Sequence, residues 1–226
     1  MSEGVAQALS TPSAKRIFVA GATGYVGMRL CSLLSGKGLD VTALVRDSSR
    51  RKLPAGVTAV EGDALSADTF RDGALLHDTF VQLVGVSHPS PAKAMQFRQV
   101  DLVSCQQSVA VAKSAGVQHF VYVSVAHPAP VMKAYIEVRM QCEEMIRESG
   151  MNATILRPWY ILGPGHYWPY AILPVYWMLE RIPSYRESAI RLKPIALGRF
   201  LRALVWAVEN PATGVRVLDV PAMMNL

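Results

Sequence analysis

Gly21, Gly24 and Gly27 stand at three-residue intervals directly after the apolar run Ile17, Phe18, Val19 and Ala20, inside the stretch KRIFVAGATGYVG. Glycines so spaced at the exit of a buried strand suit a dinucleotide phosphate site. The first permits a tight exit, the second lets the backbone approach a pyrophosphate, and the third lets the next helix pack closely on the strand. Thr23, Tyr25 and Val26 fill the rest of the loop and would touch the same cofactor. A helix over about Tyr25 to Ser35 would aim free N–H groups and the positive end of its dipole at the phosphates. A purely structural turn is the competing reading, but the strand before the glycines and the amphipathic MRLCSLLS after them favour the nucleotide site.

Other strand ends carry residues that would specialise such a site. Asp40 to Val45 reads as a second strand and ends at Arg46. An acidic residue at that place bonds a ribose 2′-hydroxyl, whereas a guanidinium pairs with a 2′-phosphate through forked, charge-assisted bonds. The expectation is NADP(H) in preference to NAD(H), with Arg50 and Arg51 as helpers; a surface arginine closing a strand is the alternative. After a third strand, Val57 to Glu61, Asp63 and Ala64 would lie along the adenine edge, although a turn aspartate after Gly62 reads nearly as well. Val84, Gly85 and Val86 end the apolar run Thr79 to Val86, and Gly85 would open the backbone to the cofactor, although a bulge or a simple strand terminus would look the same. His88, His127 and His166 have no acidic or thiol partner at metal-ligand or triad spacing, so no metal site is expected.

The elements that must hold these residues alternate along the chain. Helical patterns at about Ala67 to Leu76, Ala92 to Ala115, Val131 to Ser149 and Leu197 to Glu209 separate strands at His119 to Val125, Ala153 to Leu156 and Val215 to Val220. Parallel strands need crossover helices, so the pattern predicts an α/β fold with a doubly wound parallel sheet. With 226 residues, half of them apolar, one such domain can bury a sizeable core. Met1 to Ala14 reads as a loose tail without the basic and apolar regions of a secretion signal. Cys31, Cys105 and Cys142 are odd in number and far apart, which suggests neither a disulfide framework nor a metal box, and a reducing cytoplasm is expected. The net charge of +6 comes mostly from scattered residues, so no nucleic-acid partner is expected. Pro169 and Pro174 interrupt the short apolar stretch Tyr167 to Leu179, which argues against a membrane span.

Taken together, GATGYVG at 21–27, LVR at 44–46, GD at 62–63, HFVYVSV at 119–125 and ILRPWYILGPG at 155–165 resemble the short-chain dehydrogenase/reductase superfamily. The likeness is to its atypical or extended NAD(P)H-binding branch, runs over roughly residues 15 to 222 and is echoed by the helix before the last strand. It implies a Rossmann fold with a small C-terminal substrate cap, formed mostly by residues 159–214. It further implies that Ser124 orients a substrate carbonyl or hydroxyl and that Tyr135 is the acid/base. The family's usual lysine four residues beyond the tyrosine is replaced here by Arg139. At i, i+4 the arginine shares a helix face with Tyr135 and could lower the phenol's pKa from its usual value of about 10. A guanidinium does not readily release a proton, however, and is bulkier than an ammonium.

Pro158, Trp159 and Tyr160 would then lie near the nicotinamide and substrate, followed by a segment rich in aromatic side chains. That segment reads as core, as a lid over an apolar or quinone-like substrate, or as a dimer or membrane-surface contact. Two function classes remain open. One is a reductase acting on a carbonyl or quinone, with an NAD-dependent epimerase or dehydratase as a lesser enzyme reading. The other is a weakly catalytic or non-catalytic NADP(H)-sensing protein, working through a homodimer or protein partner.

Overall fold

The computed structural model describes residues 14–165 and 168–226. Nearly all of the expected tail and His166 lie outside the described residues. Strands β1 (Arg16–Ala20), β2 (Asp40–Val45), β3 (Val57–Glu61), β4 (Thr79–Gln82), β5 (His119–Val123) and β6 (Ala153–Leu156) join β9 (Val215–Leu218) in one sheet, while β7 (Ile161–Leu162) pairs with β8 (Ile195–Ala196). The large sheet has the order β3-β2-β1-β4-β5-β6-β9, and every pairing is parallel. Strand order reverses between β1 and β4, which opens a crevice at their carboxyl ends, the usual ligand position in such sheets.

Side chains alternate across each strand, so one sequence serves two cores. Ile17 and Val19 face one layer with α1 (Tyr25–Gly36) and α7 (Leu197–Glu209); Phe18 and Ala20 face the other, with α3 (Val103–Ser114) and α4 (Lys133–Glu148). Register aligns Phe18, Phe80 and Phe120 across three adjacent strands, with ring centroids 5.0 and 5.4 Å apart. Burying each ring contributes about 1.5–3 kcal/mol, so this row fixes the register of the strands that bear the crevice.

Several boundaries differ from expectation for local reasons. β4 stops at Gln82, because Gln82 Oε1 accepts from Val84 N–H and Asp101 accepts from Val86 N–H, drawing the chain off the sheet. Residues 67–76 form two short 3-10 turns rather than a helix, with Gly73 pressed so closely on Val60 that a Cβ would meet it at 2.5 Å. The helix expected over 92–115 is a 3-10 turn, a single α turn, α2 (Ala94–Gln96), a π-helical stretch at Phe97–Leu102, and then α3. β9 ends at Leu218, since Asp219 caps the short α8 (Val220–Met224) by accepting from Ala222 N–H at 2.9 Å. Within 159–214, α5 (Leu173–Leu179) and α6 (Pro183–Arg191) bury only Ala189 and contribute no side chain to the two cores, whereas α7 buries Phe200, Leu204 and Val208 in the main core.

Candidate active site

The glycine loop has the close packing that a phosphate cradle requires. Gly21 takes a φ of +85°, where an L side chain is strained, and a Cβ there would meet Leu83 and Val84 backbone at 2.8 Å. A Cβ on Gly27 would overlap the Gly21 carbonyl oxygen, so α1 can approach β1 only with glycine at that position. Gly24 is the N-cap of α1 and carries no side chain over the helix's first N–H groups. Thr23 and Val26 are both half-buried in this loop, and Tyr25 reaches back so far that its hydroxyl would overlap a Cβ on Gly163. These features fit a dinucleotide pyrophosphate at the helix N-terminus.

At the end of β2, Arg46 is exposed and begins a 3-10 turn carrying Arg50 and Arg51, both also exposed. None of the three pairs with a carboxylate among the described residues. Asp63 is exposed too, but one of its carboxylate oxygens accepts from Leu65 N–H at 3.0 Å in a local turn. Ala64 packs at the edge of the core beside it.

Tyr135 and Arg139 come together on one face of α4. The Arg139 guanidinium carbon lies 5.0 Å from the Tyr135 ring centroid, and Phe97 closes the ring's other contacts at 4.9 Å. Arg139 is almost wholly buried, donating to Asp101 at 2.6 Å, to the Val123 carbonyl at 2.9 Å and to the Tyr122 hydroxyl at 3.1 Å. Its Nε has no hydrogen-bond partner among the described residues. A Cβ on Gly85 would overlap this guanidinium, so the loop after β4 needs glycine there for Arg139 to fit. Burial raises the Tyr135 phenol's pKa, with Arg139 opposing, so the phenol holds its proton at neutral pH. Burial also works against the Arg139 charge, but Tyr122, Tyr135 and Asp101 more than offset it and the cation is retained. Burial pushes the Asp101 carboxyl up as well, while Arg139 and Val86 N–H pull it down; at 2.6 Å from a guanidinium it is an ion-pair partner.

Ser124 is also buried, but its hydroxyl points to a different group. It donates to Glu143 at 2.6 Å. Glu143 is 1 % exposed and also accepts from Arg147 at 2.9 Å, from Arg157 Nε at 2.9 Å and from Arg157 Nη2, with His127 at 3.3 Å. Burial alone would raise this carboxyl; the bonds from His127, Arg157 and Ser124 prevail and hold it below the usual carboxylate range. Asp101 and Glu143 are the residues that motif reasoning passed over. A signal existed for Glu143, since Tyr135, Arg139, Glu143 and Arg147 recur every four residues on α4; Asp101 had none beyond a lone acid in an apolar run.

Beyond β6, the buried Pro158 accepts from Ala126 N–H through its carbonyl at 2.8 Å, tying the β5 and β6 exits together. Next to them lies a cavity of about 690 Å³, walled by Pro128 and Val131, by Trp159 and Tyr160, and by side chains of α5 and α6 including Tyr176 and Ala189. Its wall is overwhelmingly apolar and aromatic. Among the described residues no cluster of three His, Cys, Asp or Glu is disposed to hold a metal ion.

Residues 21–165 match the model of a protein family described as NAD(P)H-binding. The chain is 25% identical over 170 residues to a 4-hydroxy-2-methyl-3-oxo-4-farnesyl-3,4-dihydroquinoline-1-oxide ketoreductase of Stigmatella aurantiaca, covering 66% of this chain and 51% of that protein. It is 27% identical over 177 residues to a 3-diazoavenalumate denitrifying reductase of a Streptomyces species, covering 66% and 57%. The chain thus spans little more than half the length of these curated relatives. Its fold is similar to that of the Bordetella bronchiseptica enzyme WbmH in complex with NAD+, with a TM-score of 0.67 at 21% identity over 91% of this chain and 76% of that one.

Proposed function

This chain belongs to the NAD(P)H-binding family, and from that premise we propose that it is a member of the extended short-chain dehydrogenase/reductase superfamily and an NADP(H)-dependent reductase of apolar carbonyl or quinone-like compounds. The observation that carries the reading is the meeting of a protonated phenol, a buried guanidinium and Gly85 of the loop that follows β4. The glycine loop from Gly21 to Gly27 would hold the pyrophosphate, and Arg46, with Arg50 and Arg51, a 2′-phosphate. Asp63 and Ala64 would border the adenine, and Val84, Gly85 and Pro158 the nicotinamide end. A bound NADPH would supply hydride. Tyr135 donates its proton to the substrate's carbonyl oxygen as charge develops there, and Arg139 stabilises the phenolate left behind.

Ser124 acts here through Glu143. A hydroxyl already donating to a carboxylate at 2.6 Å has no second proton to offer a carbonyl, so substrate orientation falls chiefly to Tyr135 and the apolar wall. The two reductase relatives support the direction of the chemistry. A second reading, an NADP(H)-binding protein with weak turnover, is favoured by one feature: Arg139 is committed to Asp101, Tyr122 and Val123, unlike a mobile ammonium.

Fluorescence titration with NADPH and NADH tests the cofactor half of the proposal. NADPH should bind at least ~10-fold more tightly, and Arg46→Ala should remove most of that difference, since a charge-assisted bond contributes about 1.5–3 kcal/mol. Tighter binding of NADH would refute the assignment of Arg46. NADPH oxidation against a panel of aromatic ketones and quinones tests the chemistry, and the absence of turnover with every acceptor would favour the second reading.

A further inference from the structure

The α5–α6 hairpin that walls the apolar cavity carries a second, outward set of side chains. Tyr176 and Leu179 face the cavity, whereas Trp177, Met178 and Ile182 are 62%, 54% and 38% exposed, and α5 has no buried residue. Large apolar groups clustered at one hairpin tip are unusual on a water-facing surface. The Arg181 guanidinium carbon lies 3.2 Å from the Trp177 ring centroid, while its Nη1 donates to the Trp177 carbonyl. Lys193 pairs with Glu180 at 2.7 Å and Arg191 with Glu187 at 3.3 Å, which leaves Arg181 and Arg186 without a carboxylate among the described residues.

We propose that this tip docks on the surface of an anionic lipid bilayer, with Trp177, Met178 and Ile182 entering the interface and Arg181 and Arg186 meeting headgroup phosphates. Tryptophan with aliphatic neighbours suits the boundary between headgroups and acyl chains, and basic side chains beside it add attraction to anionic lipid. Charge decides between this occupant and a second copy of the chain. A symmetric dimer through the same tip would set the unpaired Arg181 and Arg186 close to their counterparts, whereas anionic phosphates complement them. No described helix is long and apolar enough to cross a membrane, so the contact is peripheral. The purpose of the docking rests on the proposed function, since an acceptor dissolved in lipid would reach a cavity walled by the helices that touch the bilayer.

The test is co-flotation of the full chain with phosphatidylcholine vesicles, with and without a third phosphatidylglycerol. The chain should float with the anionic vesicles, less with neutral ones and less at high salt. The triple variant Trp177→Ser, Met178→Ser, Ile182→Ser should lose at least ~10-fold in vesicle affinity, and Arg181→Glu with Arg186→Glu should abolish the preference for anionic lipid. Thermal melts verify that these surface variants fold, and NADPH oxidation with a water-soluble acceptor should be unchanged in both. No flotation, or equal flotation of wild type and triple variant, overturns the proposal. So does a concentration-dependent dimer in sedimentation that the triple variant abolishes without any lipid dependence. Flotation without turnover would instead remove the reductase reading and leave the docking surface standing.

Discussion

At the scale of single residues, the departure from a tyrosine–lysine pair has a structural consequence that the replacement alone did not reveal. The spacing of Tyr135 and Arg139 was legible, because four residues on a helix always face together. What held the arginine was not, since Asp101 reaches it from another helix 38 residues away. Asp101→Asn would leave a buried guanidinium without its countercharge and should destabilise the fold by about 3–5 kcal/mol, read from denaturant midpoints. Unchanged stability would mean that the pair is no anchor. Two further buried groups set the acid response. His119, lowered to about 4 by burial and by the Arg216 and Lys15 charges, stays neutral in the fold while the unfolded chain protonates from about pH 6.5. Glu143 is held ionised in the fold below the point where the unfolded chain's carboxyl takes up its proton. In both cases the unfolded state binds more protons, so stability falls as pH drops below about 6.5 and falls again below about 4.5. His119→Phe should flatten the upper part of that decline in thermal melts across pH, and an unaltered profile would remove His119 from the account.

At the scale of elements, the glycine loop was readable because its constraint is local: three residues without Cβ atoms between a strand and a helix. The structure separates the glycines by what each does. Gly27→Ala should push α1 from β1 and lower both cofactor affinity and stability, the latter by about 1–3 kcal/mol, because the added methyl overlaps the Gly21 carbonyl. Gly36→Ala at the end of the same helix meets nothing within 4 Å and should be neutral or stabilising by about 0.4–1 kcal/mol. Equal melting temperatures for the two variants would contradict the packing role given to Gly27. The π-helical stretch at Phe97–Leu102 was not readable, since its widening carries Asp101 to Arg139 and answers to a tertiary partner rather than to local pattern. The same holds for Gln82, whose side chain helps detach the chain beyond β4 from the sheet.

At the scale of the whole molecule, alternating strands and helices announced the parallel sheet, and the register of Phe18, Phe80 and Phe120 shows why its order is fixed. The packing of the C-terminal third was harder to read, because apolar periodicity marks α7 as a buried helix without saying which core it enters. The central claim joins two parts of the molecule: a cofactor cradle at the glycine loop and a phenol proton donor held by Arg139. A single-turnover experiment tests it most directly. Wild type and Tyr135→Phe, each preloaded with NADPH, are mixed with an aromatic ketone or quinone, and NADPH oxidation is followed by absorbance. The account predicts equal NADPH affinity and oxidation slowed at least ~10²-fold in the variant; equal rates in the two proteins would contradict it.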